Sequence, residues 1–105
     1  MEIIKMNDIK VSKNKKGVKT KVILEHNNAR LTNLQLNEGD VVPEHSVPVN
    51  VFFYIVKGKG TLQIGDEKKV VNENEIIPCP PETTMSLKAD QGEEFYVLNV
   101  KTPNI

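Results

Sequence analysis

An all-β fold is predicted by three observations on the 105-residue chain. Turn signals recur at short and nearly regular intervals, the segments between them are rich in Val, Ile, Leu, Thr, Phe and Tyr, and no segment sustains helical periodicity. Many short strands separated by such turns are the sequence signature of a sandwich or barrel. The first expected strand is 2–5, and NKKG at 14–17 then opens a second at 18–25. HNN at 26–28 separates that strand from 29–36, and NEGD at 37–40 closes it. The apolar run 49–56 comes next, with KGKG at 57–60 read as a hairpin turn into 60–65. GDEK at 65–68, NENE at 72–75, CPPE at 79–82 and DQGE at 90–93 then bound strands at 67–71, 76–78, 84–89 and 94–101.

Successive strand side chains point to opposite faces. In Val49-Asn50-Val51-Phe52-Phe53-Tyr54-Ile55-Val56 both faces are apolar, so both require cover. With Val51, Phe53 and Ile55 in an interior, Phe52, Tyr54 and Val56 call for a second sheet or another subunit, and a homodimer is expected.

Composition narrows the function classes. Basic and acidic residues balance at 14 each, although residues 1–30 hold eight basic against three acidic and the remainder six against eleven. The lysines at 13, 15, 16, 19 and 21 have no interleaved aromatics and read as a solvated face, so no nucleic acid partner is expected. No apolar window reaches the length of a membrane span or a signal sequence, and no membrane partner is expected. The single cysteine, Cys79, excludes an intramolecular disulfide framework and a cysteine-based zinc site. A cytoplasmic protein with one domain over 1–105 is the expectation.

One histidine stands at the lip of the apolar run. Gly39 is followed by DVVPE, then His45-Ser46-Val47, then PVN, Val51, FFYIVK and Gly58. Further on, Asn74, Pro80, Glu82, Met85 and Ala89 recur at a second set of spacings. In these residues the chain resembles the cupin family, specifically its small single-domain members. The family's first motif is Gly, five residues, His-x-His, three or four residues, Glu, six residues, Gly. Its second is Gly, five residues, Pro-x-Gly, two residues, His, three residues, Asn. About residues 31–103 carry the resemblance, with residues 1–30 as additional N-terminal strands. It implies a cupin-type jelly-roll barrel, the double-stranded β-helix of two antiparallel sheets.

Carried over residue by residue, the family's four metal ligands become His45, Val47, Val51 and Met85. Valine cannot coordinate, and a thioether is a soft ligand suited to copper(I). One imidazole does not make a specific site. No cofactor is therefore expected, with a divalent metal on His45 the lesser reading. The leading expectation is a small-molecule ligand in a mostly apolar pocket of His45, Val47, Val51, Phe53 and Met85. A metal-dependent oxygenase or isomerase completing His45 with Asn50 or Glu82 is a second reading, and a dimeric interaction module with a packed interior is a third. Glu44 and Asn50 fall on the strand face opposite His45, Tyr54 is a nearby polar candidate, Cys79 reads as an inert thiol and His26 as a surface turn residue.

Overall fold

The computed structural model describes residues 1–105. After a 3-10 turn at Met6–Asp8, nine strands follow: β1 (Ser12–Lys13), β2 (Lys19–His26), β3 (Ala29–Leu36), β4 (Val41–His45), β5 (Asn50–Ile64), β6 (Glu67–Asn72), β7 (Ile76–Cys79), β8 (Met85–Ala89) and β9 (Phe95–Thr102). They form the jelly roll of two antiparallel sheets. One sheet runs β1-β2-β3-β9-β5-β7 and the other β6-β5-β8-β4.

Strand β5 belongs to both sheets, and this corrects the hairpin turn expected at 57–60. Its first half pairs with β9 and β7, while Lys59–Ile64 pairs with β6 and Gly60–Ile64 also with β8. The register to β9 shifts between Ile55 and Lys57, so the glycine-rich stretch bends one strand instead of joining two. Gly58 adopts φ +73°, and a Cβ there would overlap the Glu94 carbonyl of β9's approach. At Gly60 a Cβ would overlap the Phe95 ring and come within 2.7 Å of the Lys88 carbonyl oxygen. Lys57 braces the bend from outside, its Nζ 2.9 Å from Glu94, which also accepts a 2.7 Å hydrogen bond from the Tyr96 hydroxyl. The shared hydrogen bond and charge hold the Glu94 carboxyl below its ordinary range and the Lys57 ammonium above it.

Two further differences have local causes. Strand β4 was not expected, because Val41-Val42-Pro43-Glu44-His45 carries little alternation and contains a proline. It is an edge strand whose sole partner is β8, and its register slips between Val42 and His45, where a residue without a backbone N–H is tolerated. Residues 2–5 form no strand: Ile3 and Ile4 are exposed, and the chain instead turns at Met6–Asp8.

The core lies between the sheets. Leu36, Phe53, Ile55, Phe95 and Val97 from one sheet meet Met85 and Leu87 from the other, each at most 1% exposed. Before the bend, the odd residues Val51, Phe53 and Ile55 of β5 thus face inward. On the other side of the same strand Phe52 remains 38% and Val56 36% exposed, so within one chain that face is only partly covered.

Gly39 separates the two requirements a positive φ can impose. It adopts φ +86° but a Cβ there would meet nothing within 4 Å. Gly39→Ala should cost about 1 kcal/mol, the left-handed penalty less the entropy removed from the unfolded chain. Gly58→Ala, which adds a clash with backbone, should cost more than about 3 kcal/mol. Urea denaturation of the two variants measures the difference.

Candidate functional site

The inward face of β5 determines what faces the interior on its neighbours, because residues in register share a face. Ile55 is paired with Val97 of β9, and Val97 with Leu34 of β3, giving an apolar row. The next row is Phe53, Asn99 and Thr32, and the one beyond it Val51, Lys101 and Arg30. The interior therefore becomes polar toward one end of the barrel.

A cavity of about 350 Å³ opens at that end. Thr20, Arg30, Thr32, His45, Asn99 and Lys101 give it polar walls, Val22, Leu34, Val42 and Leu87 give it apolar ones, and no aspartate or glutamate lines it. His45 comes from edge strand β4, with its Nδ1 2.9 Å from the Pro43 carbonyl oxygen. A carbonyl only accepts, so Nδ1 is the donor in this contact and Nε2 is the ring nitrogen left without a protein partner. Lys101 has Arg30 as its register partner on one side and Val51 on the other. Burial, and then the charge of Arg30, hold the Lys101 ammonium below its ordinary pKa of 10.5. The folded protein thus loses this proton more readily than the unfolded chain, so the contribution of Lys101 to stability rises with pH in the window below 10.5.

Of the five residues expected around a ligand, His45 lines this cavity and the other four do not. Phe53 and Met85 are fully buried, Val51 is 3% exposed, and Val47 packs half-buried against the same core. They fill the barrel beneath the cavity, which leaves a more polar pocket than the one expected. The residues missed were Arg30, Thr32, Asn99 and Lys101. Their signal was in the sequence: once Phe95 and Val97 are assigned inward, alternation carries Asn99 and Lys101 to the same face.

The remaining candidates lie elsewhere. Asn50 and Glu82 are exposed and do not line the cavity. Glu44 accepts a 2.9 Å hydrogen bond from Gln63, whose amide oxygen accepts from Ser86 at 2.8 Å, in a small network between β4, β5 and β8. Tyr54 donates to Asn74 at 2.7 Å, and the His26 ring accepts from the Asn28 N–H in its exposed turn. Cys79 is 2% exposed, and burial pushes its thiol pKa up, away from the reactive thiolate. No three His, Cys, Asp or Glu side chains converge anywhere in the chain to hold a metal ion. With valine at two of the four ligand positions and a fully buried methionine at the third, the residues present do not fit the metal the resemblance brings with it. No helix is long and apolar enough to cross a membrane.

Comparison with known proteins agrees with this geometry at the level of fold. A family model described as "Cupin domain" matches residues 33–101. Among solved structures, KdgF from a Halomonas species superposes with a TM-score of 0.90 at 14% identity, over 99% of this chain and 96% of that one. The polyketide cyclase RemF from Streptomyces resistomycificus gives 0.88 at 17% identity, over 97% and 79% of the two chains. A predicted oxalate decarboxylase from Thermotoga maritima gives 0.87 at 17% identity, over 98% and 100%. No curated protein matches the sequence.

Between β6 and β8, two positions that are glycine in the second cupin motif hold other residues. Asn74 and Glu82, which occupy those two positions, are the non-glycine residues with positive φ, +68° and +60°. Asparagine tolerates this region and its side chain is engaged by Tyr54, whereas glutamate has no such adaptation. The Glu82 N–H donates to the Val47 carbonyl at 2.8 Å, which pins the loop beside the cavity strand and holds the conformation in place. Glu82→Gly should therefore be no less stable than the native protein, and up to about 1 kcal/mol more stable, since relief of left-handed strain offsets the added entropy of the unfolded chain. A destabilised Glu82→Gly in thermal or urea unfolding contradicts this.

Proposed function

The chain belongs to the cupin family, and we propose that it is a small-molecule-binding member whose ligand occupies the cavity beside His45 and that works without the family's metal. The observation that supports this reading is the cavity itself. It is of the size usual for small-molecule sites, concave, and lined by apolar side chains with a few convergent polar groups. The third reading, an interaction module with a filled barrel, has no such space to account for.

His45 supplies the handle on the β4 side. With Nδ1–H held by the Pro43 carbonyl, its Nε2 is available for a hydrogen bond with a polar group of the ligand. Asn99, Thr20 and Thr32 offer neutral donors and acceptors on the facing sheet. Valine at positions 47 and 51 and methionine at 85 put apolar side chains where the family's metal ligands would stand, so the base of the barrel holds no polar group that needs a metal as partner. The fold itself selects no reaction, since structures sharing it include a polyketide cyclase and a predicted oxalate decarboxylase.

A library of small organic fragments titrated into isotopically labelled protein tests the reading by amide NMR. Fragments that bind should shift the resonances of Thr20, Thr32, Asn99 and Lys101 and leave those of the exposed β6 strand unmoved. A library that shifts none of the cavity resonances, or that moves only residues remote from His45, overturns it.

A further inference from the structure

We infer that the ligand is a small organic carboxylate, its anionic head held by Lys101, Arg30 and Asn99 and its apolar body lying against Val42 and Leu87. The inference rests on the cavity being the ligand site and adds the class of molecule that fills it.

Three observations carry it. Lys101 and Arg30 face each other across β9 and β3 in direct register, an arrangement of like charges that is unfavourable unless an anion lies between or above them. Their compensation is incomplete. Arg30 has Glu25, its register partner on β2, at 3.7 Å, while Lys101 forms no ion pair and no acidic side chain lines the cavity. Asn99, one row deeper, is 9% exposed, and its side-chain amide joins none of the side-chain hydrogen bonds of the protein, although other buried amides such as Asn33 and Gln63 are each bonded. Its amide reaches the open cavity one row below the two cations, free to donate to an acceptor bound there.

The chemistry that satisfies all three at once is a planar anion. A carboxylate takes a forked contact from a guanidinium, a point charge from an ammonium and a hydrogen bond from an amide N–H. The opposite wall decides what is attached to it. Val42 of β4 and Leu87 of β8 are paired in register and present alkyl surface across the cavity from the charged rows, which suits an aliphatic or aromatic body and gives a fully hydrated inorganic anion nothing to displace water from. His45 stands at the edge of that apolar wall, within reach of a second polar substituent.

Calorimetric titration in low-chloride buffer with benzoate, hexanoate, benzamide and inorganic phosphate tests the assignment. Benzoate or hexanoate should bind saturably, benzamide at least about tenfold more weakly, and phosphate more weakly than either carboxylate. Lys101→Met should lose about tenfold or more in carboxylate affinity while melting no lower than the native protein without ligand, because it removes a half-buried cation beside a like charge. Arg30→Gln should weaken the same carboxylate and leave benzamide unchanged. Benzamide binding as tightly as benzoate, phosphate outbinding both carboxylates, or Lys101→Met retaining native affinity or melting well below the native protein overturns the assignment. If neutral fragments still move the cavity resonances while carboxylates gain nothing over amides, the carboxylate class fails and the cavity reading stands. If neither carboxylate binds and no fragment reaches the cavity, both fail.

Discussion

The structure depends on the bend of β5 at Gly58. One strand of fifteen residues closes two sheets on each other by pairing with β9 and β7 before the bend and with β6 and β8 after it. The bend is possible because Gly58 can adopt a positive φ directly against the Glu94 carbonyl, where any side chain would collide. Closure then fixes parity. With Phe53 and Ile55 inside, the ladder to β9 and β3 leaves no freedom over which way Asn99, Lys101, Thr32 and Arg30 point.

The two ends of the barrel answer to different demands. Around Met85, Phe53, Phe95 and Leu87 the interior is apolar and fully buried, and its removal from water is the main stabilising contribution. At the other end, two cations and a buried amide occupy inward positions with one acid at the rim. Nothing about closing a jelly roll requires that arrangement, and both partial burial and the neighbouring Arg30 charge disfavour the charged form of Lys101. Groups held at such a cost, in a cavity, are where a binding role is expected.

Most of the architecture was legible in the sequence because it is written in local chemistry. Turn residues bounded the strands, and the spacing from Gly39 through His45 to Gly58 identified the family scaffold. What escaped was what the sheet decides. Lys57–Gly60 has the composition of a hairpin turn, and only the presence of β9 alongside makes it a bend. Strand β4 is defined by its pairing with β8 and not by alternation. The site was half legible for the same reason: His45 stood out as a motif residue, whereas Lys101 and Arg30 look like ordinary strand-end charges until register sets them face to face. Met85 and Val51, singled out by motif position, are core because neighbouring side chains leave them no opening.

The central claim is that this cupin barrel binds its ligand with fixed side-chain charges in place of a metal ion. Elemental mass spectrometry of untagged protein, after exposure to iron, manganese, nickel, copper and zinc and removal of the excess, addresses it most directly when run beside His45→Ala. The account predicts metal far below one equivalent per chain in both proteins. Close to one equivalent in the native protein that disappears in His45→Ala would contradict it.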